Sequence, residues 1–397
     1  LALIVPRALE PIRDLLPQTI AQTADRIPDP LIKADAIINA LHDTSEEEVR
    51  VVLLETLGLL GTDTAFEAVR NYPDATSTAI RRAVVSALTR FQSPEALGEL
   101  RGLLLTERDR SVRAKIFSGY IASLRNATAV SLASVIPHIQ TAFEQAKSAA
   151  ECRDFLAAAS QLPSLTTLAL IEKMAERGDV RAEATQALVK VCVALAGAYP
   201  ETALPKLKAL ANQEKLPEAL ANEAKQTLER MQQTEDHIMA WALAGPFYKA
   251  NVSADSLFAL EFAPEKDKEN ANWRIMRTLP DANPAYAIEL DRVVGGEDRV
   301  AFLRTKITAP EAIDAVLELG TNDGCRVWWN DTLIHALNIG RPLTPAQDKL
   351  EVHLAAGEND LMIAVFQQGG AWGATARIVD KNGKPLPGVT YRPAVNE

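Results

Sequence analysis

The densest group of side chains with acid–base chemistry is a run of carboxylates in and just before the segment FAPEKDKEN. Its members are Glu261, Glu265, Asp267 and Glu269. Hydrolysis of a glycosidic bond requires two carboxylates that face a cleft at a separation of roughly 5–10 Å. This segment is typical of a solvated loop, so it predicts no catalytic pair.

The other residue types used in catalysis are dispersed along the chain. The histidines are His42, His138, His237, His335 and His353, and no GxSxG sequence supplies a nucleophile beside them. Neither a GxxxxGKS/T sequence nor a strand-linked GxGxxG is present to bind nucleotide phosphates. We therefore expect no catalytic residues, no enzymatic activity and no cofactor. A structural Ca²⁺ ion held by loop carboxylates and carbonyls would leave no compact motif, so the sequence does not exclude one.

The three cysteines, Cys152, Cys192 and Cys325, lie far apart. They form no CxxC, haem-attachment or zinc-binding spacing, and an odd number does not complete a disulfide framework. We expect them to be small buried hydrophobic side chains. A pairing of Cys152 with Cys192 is the open alternative.

Length and charge exclude several classes of protein. The chain has 397 residues, 47% of them hydrophobic, which predicts two or three globular domains. Its 52 acidic and 42 basic side chains give a net charge of −10, and this disfavours nucleic acid as a partner. No run of 18 apolar residues occurs, so we expect no membrane span. The sequence begins at Leu1 without a basic region, so we do not expect its first residues to form a signal peptide.

The chain changes character near residues 232–240. Sequence rich in Ala and Leu gives way to Gly, Trp and alternating β-formers, and every tryptophan follows the change: Trp241, Trp273, Trp328, Trp329 and Trp372. We predict a multidomain protein, α then β, with a helical domain over residues 1–235 and a β domain over residues 236–397.

The first domain contains amphipathic helices that recur at a regular interval. In residues 46–61, one helical face carries Val49, Val52, Leu53, Leu57 and Leu60. Similar helices are predicted over 78–91, 111–124 and 180–195. The four helices begin with an apolar residue followed by Arg50, Arg81, Arg113 and Arg181, at intervals of 31, 32 and 68 residues. A period of this size made of two helices predicts an α-solenoid.

An Asp followed by Val-Arg is present at 109–113 and 179–181. It resembles the second-helix signature of HEAT repeats, and the resemblance covers roughly residues 30–232 in about six repeats. The resemblance implies a curved scaffold that binds proteins and has no chemistry of its own. Each recurring arginine is expected to pair with an acid of the neighbouring repeat, because a partly buried arginine is normally paired. A ligand-binding stripe of arginines is the alternative.

After residue 238 the hydrophobic period becomes two. Alternating apolar residues occur at Ile313, Ala315, Leu317 and Leu319, and again at Leu350, Val352 and Leu354. Further strands are predicted over 241–246, 286–290, 299–307, 325–330, 360–367 and 374–379. About eight short strands separated by Gly and Asn turns predict an antiparallel β-sandwich or jelly roll.

Three features of this domain carry a second resemblance. They are the turn TNDG at 321–324, the strand CRVWWN at 325–330, and the turn AGEN at 356–359 before another apolar strand. Their order resembles the galactose-binding-domain-like jelly roll found beside glycoside hydrolase domains and in secreted bacterial multidomain proteins. Asp331 stands where that family usually has Gly. The resemblance implies a periplasmic or secreted protein.

Sugar-binding members of that fold stack an aromatic side chain on a pyranose ring and bind hydroxyls with nearby polar groups. The resemblance places Val327 and Trp329 in the core, which leaves Trp328 as the first candidate platform and Trp372 as the second. Candidate polar contacts are Arg341, Asn322 and Asp323. In the alternative, both tryptophans cap the core and Asn322 and Asp323 only form a turn.

Two functions are consistent with these features. The first is a non-catalytic scaffold whose helical repeats and jelly roll bind protein partners within a larger assembly. The second is a carbohydrate-binding accessory module associated with extracytoplasmic polysaccharide-active enzymes, with a glycan as its ligand.

Overall fold

The computed structural model describes residues 15–72, 77–127, 130–213, 215–234 and 236–395. In this part of the chain a region of helices is followed by a region of antiparallel sheets, as the sequence predicts. None of the helices described is long and apolar enough to cross a membrane.

The helical region has thirteen described helices of eight or more residues. They are α1 (Leu16–Ala24), α2 (Pro30–Asp43), α3 (Glu47–Leu60), α4 (Asp63–Arg70), α5 (Thr78–Arg90), α6 (Pro94–Thr106), α7 (Arg110–Asn126), α8 (Leu132–Gln145), α9 (Ala149–Ala159), α10 (Leu165–Ala175), α11 (Arg181–Leu195), α12 (Pro200–Ala211) and α13 (Glu218–Gln232).

The strands follow, with three four-residue helices among them. They are β1 (Ala242–Phe247), α14 (Ala254–Leu257), α15 (Ala263–Lys266), β2 (Arg274–Ile275), β3 (Ile288–Glu289), α16 (Leu290–Val293), β4 (Arg299–Ala309), β5 (Ile313–Asn322), β6 (Cys325–Trp329), β7 (Thr332–Leu337), β8 (Asp348–Leu354), β9 (Gly357–Gln367), β10 (Gly373–Val379) and β11 (Thr390–Pro393).

The chain divides into two compact units. The first, called the repeat unit below, comprises residues 1–128 and 137–158; the second, called the sheet unit, comprises residues 129–136 and 159–397. Helices α10 to α13 therefore group with the strands. The change from helix to strand does fall near the predicted boundary, whose residue Glu235 lies outside the described residues. As a boundary between folding units, 235/236 stays a prediction.

The helices of the repeat unit form where the apolar period predicts them. The five apolar residues of the α3 pattern are all buried. In α7 the Asp109 side chain caps the helix, accepting from the backbone N–H groups of Ser111 at 2.8 Å and Val112 at 3.0 Å. Alternate helices pack closely, since a Cβ added to Gly58 of α3 would lie 2.6 Å from the Ala87 Cα of α5. A small residue is therefore required at this crossing.

The strands form two antiparallel sheets. One sheet has the order β2-β1-β4-β9-β6-β7, with β11 also paired to β4, and the other has the order β3-β10-β5-β8. The register of the longest pair, β4 with β9, runs from Arg299 opposite Gln367 to Ala309 opposite Gly357. Neither sheet closes into a barrel.

Apolar side chains cover both faces of the larger sheet. The core between the sheets contains Leu303, Ile363 and Val365 of the larger sheet with Leu317 and Ile378 of the smaller one. A second cluster covers the outer face of the larger sheet: Phe302, Met362 and Phe366 pack with Phe258 and Trp273. Strands β4 and β9 are therefore buried on both faces along much of their length, which explains the unbroken apolar runs at residues 300–303 and 361–366.

Hydrogen bonds to backbone carbonyls join helices α11 and α13 to the strand region of the sheet unit. Arg230 of α13 is buried, and its guanidinium donates to the carbonyls of Ala285 at 2.6 Å, Ala287 at 3.1 Å and Leu279. Burial lowers the pKa of Arg230 to about 10. At the end of α11, the N–H of Thr278 donates to the carbonyl of Ala194 at 3.0 Å. These contacts account for the grouping of the last helices with the sheets.

Most predicted strands are confirmed, with one error and three omissions. Residues 286–290 form only the two-residue strand β3, because Leu290 begins the short helix α16. The strands β2, β7 and β11 were not predicted. The hairpin turn between β6 and β7 has Asn330 at φ 46° and Asp331 at φ 72°, so aspartate occupies the position where glycine was expected without loss of the turn.

Candidate functional site

The repeat unit has an apolar groove of about 400 Å³ between successive helix pairs. Helices α4 and α5 form one wall and α6 and α7 the other. The apolar side chains that line the groove are Val69, Val84, Val85, Leu88, Leu103, Val112 and Ile116. Leu103 and Val84 are half-buried, whereas Leu88 and Ile116 are buried. The groove therefore presents a hydrocarbon floor.

Charged side chains form the rim of this groove, and four of them are paired across it, while the exposed Arg108 also lines it. Arg81 of α5 contacts the Glu107 carboxylate at 3.3 Å, and Arg70 of α4 contacts Glu99 of α6 at 3.4 Å. These pairs join the two walls and neutralise one another, and Arg108 adds a positive charge at the rim. Leu105 lies on α6 two residues from Leu103, is 55% exposed, and does not line the groove.

The predicted pairing of the recurring arginines is confirmed for two of the four. Arg81 pairs with Glu107, and Arg113 pairs with Glu151 at 2.8 Å. Each of these glutamates also accepts from backbone N–H groups of its own turn, at 2.7 Å from Asp109 and at 2.9 Å from Ser148. These backbone hydrogen bonds orient the two carboxylates that the arginines contact.

The other two arginines bind backbone carbonyls. Arg181 donates to the carbonyl of Ala175 at 3.2 Å, and Arg50 donates to that of Thr44 at 2.9 Å. For Arg181 the prediction of an acidic partner in the next repeat is wrong, since the carbonyls at the end of α10 satisfy it instead.

Of the predicted sugar platforms, Trp372 lies in the core. It is 1% exposed, and its indole N–H donates to the carbonyl of Val365 at 3.2 Å. A ring that stacks on a sugar must have one open face, so its assignment to a sugar site is wrong. Trp372 does lie in a loop, since β10 begins only at Gly373, but its ring is buried in the core between the sheets.

Trp328 lies on the outer face of the larger sheet and is half-buried. Its ring packs near Phe302, with centroids 6.1 Å apart, and it lines a cavity of about 240 Å³ with Lys268, Asp331 and Asp360. This placement confirms that Trp328 and Trp329 face opposite ways. A sugar-stacking role for Trp328 stays a prediction.

The predicted polar contacts lie together but do not line the Trp328 cavity. The buried Asp323 carboxylate accepts from the N–H of Arg341 at 3.0 Å and from that of Gln368 at 2.8 Å. The Arg341 side chain donates to Thr321 at 2.8 Å and to both carboxylate oxygens of Asp348. Asn322 is buried beside this network. Residues 322 and 323 thus form a buried turn, and the predicted sugar set is not assembled in one place.

The carboxylate run differs from the predicted solvated loop at one position. The side chain of Glu265 is 8% exposed and pairs with Arg326. Its other oxygen accepts from the N–H of Phe262 at 2.7 Å, at the start of α15. The prediction is wrong for Glu265, because α15 turns this acid toward the sheet. Glu261, Asp267 and Glu269 are exposed, as expected.

A polar cavity of about 470 Å³ lies at the β4 side of the larger sheet. Three cations line it, and each already has a carboxylate partner: Arg304 with Asp360 and Glu269, Lys306 with Glu358 and Asp360, and Arg392 with Glu358. Burial alone would raise the pKa of Asp360, but Arg304 and Lys306 lower it to about 2. The cavity is therefore internally neutralised.

All three cysteines are buried free thiols, as predicted. Cys325 lies beside His335 and Asp348, and one potential ligand atom from each residue lies within 4.8 Å of the other two. Burial raises the pKa of the Cys325 thiol to about 11. The three residues are too far apart in the sequence to form a recognisable metal-binding motif. They come together because β6 pairs with β7 and β8 lies nearby.

Comparison with known proteins supports the repeat assignment. Residues 34–119, which include every residue that lines the groove, match the HEAT repeat family. A chain from the complex of CpcE and CpcF of phycocyanin lyase from Nostoc sp. PCC7120 is similar at 20% sequence identity and a TM-score of 0.30, covering 58% of this chain and 93% of the solved one. No curated protein matches the sequence.

One expectation is corrected by these comparisons. The prediction that the chain is not an enzyme is contradicted, since the similar solved chain comes from a lyase complex. That prediction is withdrawn, and the structural likeness assigns no reaction and no catalytic residue to this chain.

Proposed function

We propose that this chain is a helical-repeat interaction protein and that a protein partner binds in the apolar groove of the repeat unit. The observation that carries the proposal is the groove itself, about 400 Å³ in volume and lined by seven Val, Leu and Ile side chains. Burial of such surface is the main source of binding free energy between proteins. HEAT repeats typically mediate protein interactions, and the matched repeats span this groove.

The shape and chemistry of the groove favour the apolar face of a partner helix. An amphipathic helix places apolar residues three and four apart along one stripe, which suits a long hydrocarbon floor. The paired rim charges, Arg81 with Glu107 and Arg70 with Glu99, offer hydrogen bonds and neutralise one another. A specific scaffold role within a larger assembly is the finer form of this proposal.

A matched pair of variants tests the proposal. In the full chain, Leu103→Lys places a charge in the groove, whereas Leu105→Lys makes the same change on the same helix outside it. Proteins that copurify with the tagged chain from its native source are identified for both variants by mass spectrometry. We expect at least one partner to be lost, by about tenfold or more, with Leu103→Lys and kept with Leu105→Lys, because a buried unpaired charge costs well over 1.4 kcal/mol.

Circular dichroism of each variant verifies that the repeat unit is folded. If every partner is retained by a folded Leu103→Lys variant, or if both variants lose the same partners, the groove is not the binding surface.

For the sheet unit we infer a galactose-binding-domain-like jelly roll. Support comes from two packed antiparallel sheets and from the Asn330-Asp331 turn, in which both residues have positive φ. A location outside the cytoplasm is part of this inference and rests on the same resemblance.

A further inference from the structure

Three side chains with metal-binding chemistry converge at one edge of the sandwich. Cys325 comes from β6 and His335 from β7 of the larger sheet, while Asp348 begins β8 of the smaller sheet. The Cys325 sulfur, a ring nitrogen of His335 and a carboxylate oxygen of Asp348 lie within 4.8 Å of one another. The cluster therefore spans the two sheets.

One polar atom of this cluster, a ring nitrogen of His335, is not satisfied by the protein around it. The Nε2 atom of His335 is buried and has no hydrogen-bond partner among the described residues. It lies 3.8 Å from Oδ1 of Asp348, which is too long for a hydrogen bond. Two ligands of one tetrahedral Zn²⁺ ion, at bond lengths of about 2.0–2.2 Å, lie about 3.4 Å apart. The observed separation is thus close to the one that a shared cation requires.

Arg341 donates hydrogen bonds to Asp348 of the cluster and to the neighbouring Thr321. Arg341 donates to Asp348 Oδ1 at 3.1 Å and also to Oδ2, which orients the carboxylate while Oδ1 still faces His335. The same guanidinium donates to Thr321 at 2.8 Å. Hydrogen bonds of this kind, made by residues behind the ligands, fix ligand geometry in metal sites.

We propose that Cys325, His335 and Asp348 bind a divalent cation of the zinc type. Sulfur and imidazole nitrogen are ligands that Zn²⁺ accepts, whereas Ca²⁺ and Mg²⁺ take oxygen ligands. On binding, the S–H bond of Cys325 is replaced by a sulfur–metal bond, and the proton leaves to solvent without any change of oxidation state. Three protein ligands leave a fourth position for water or another small ligand.

Cobalt is the probe for this site, because Co²⁺ replaces Zn²⁺ and absorbs when bound to a thiolate. The purified full chain is stripped with chelator and titrated with Co²⁺. We expect one equivalent to produce a thiolate-to-cobalt charge-transfer band together with the visible bands of tetrahedral Co²⁺, and Zn²⁺ to abolish both. Absence of the band from the unmodified chain overturns the proposal.

Two ligand variants and one matched control make the assignment specific. Cys325→Ser is expected to remove the charge-transfer band. His335→Gln, a change at a partly exposed edge-strand residue, is expected to weaken Zn²⁺ binding by more than about tenfold, the loss seen when even a residue behind a ligand is removed. Cys192→Ser removes another buried thiol and should leave the band unchanged.

Persistence of the band in a folded Cys325→Ser variant, or its loss in Cys192→Ser, overturns the site. Unchanged Zn²⁺ affinity in His335→Gln also overturns it. That variant keeps the test decisive if Cys325→Ser fails to fold.

Discussion

At the scale of single residues, Arg230 is the clearest case of one side chain that holds separate segments together. Its guanidinium reaches three carbonyls, those of Leu279, Ala285 and Ala287, in an irregular stretch between β2 and β3. Backbone carbonyls of an irregular segment have no strand neighbour to bind. The buried arginine therefore supplies the hydrogen-bond donors that a neighbouring strand would otherwise provide.

Replacing Arg230 by Met is expected to lower the free energy of unfolding of the sheet unit by about 3 kcal/mol, because the buried carbonyls lose their donor. Urea unfolding followed by tryptophan fluorescence measures this unit alone, since every tryptophan lies beyond residue 240. The control Arg292→Met removes a surface arginine that pairs with Asp281 and Glu289, and should cost less than about 1 kcal/mol. Equal losses in the two variants would contradict the role given to Arg230.

Residue types alone did not show which polar and aromatic side chains are buried. Glu265 and Trp372 both lie in sequence that is rich in loop-forming residues, yet one is paired with Arg326 and the other is in the core. Their burial depends on strands that are distant in the chain. The same reason explains why the Cys325, His335 and Asp348 cluster could not be predicted from spacing.

At the scale of elements, the helices of the repeat unit were predictable because each has a one-sided apolar stripe. The spacing between them was not, since it depends on small residues where helices cross. Gly58 of α3 lies against Ala87 of α5, and glycine is otherwise unfavourable inside a helix. Its presence in α3 is explained by this close approach.

Gly58→Ala is therefore expected to destabilise the repeat unit by about 1–3 kcal/mol, despite a gain of about 1 kcal/mol in helix propensity. Gly102→Ala in α6 is the control, because an added Cβ there has no atom within 4 Å. It should stabilise the unit by about 0.5–1 kcal/mol. Urea unfolding followed by far-ultraviolet circular dichroism compares the two. A stabilising Gly58→Ala would show that the helices can separate at no cost.

Strand prediction succeeded where apolar and polar residues alternate along the strand, as in β5 and β8. It was less complete for β2, β7 and β11. Strands β2 and β11 have only two and four residues, and β7 is a sheet-edge strand with exposed apolar residues such as Leu333. Short and edge strands carry a weak period, so their pairing depends on neighbouring strands rather than on their own sequence.

At the scale of the whole molecule, the change of secondary structure and the division into compact units fall at different places. Secondary structure changes after α13, at Gln232, whereas the compact sheet unit also contains α10 to α13. The hydrophobic period of the sequence indicates where the secondary structure changes. It does not indicate where the compact units divide, because it does not show which helix packs on which sheet.

Two fragments distinguish these divisions. Residues 159–397 keep Arg230 and the end of α11, and should unfold cooperatively in urea by tryptophan fluorescence. Residues 236–397 lose both contacts and should be less stable by at least about 3 kcal/mol. Equal stability of the two fragments would show that the sheets fold without α10 to α13.

The glutamates that pair with Arg81 and Arg113 each also accept a hydrogen bond from the backbone of their own turn. Such an arginine–glutamate contact lies entirely within two successive helix pairs and does not depend on more distant ones. Duplication of one repeat would thus lengthen the stack of helix pairs and reproduce the same arginine–glutamate contact. A longer relative is expected to have this contact between each pair of neighbouring repeats.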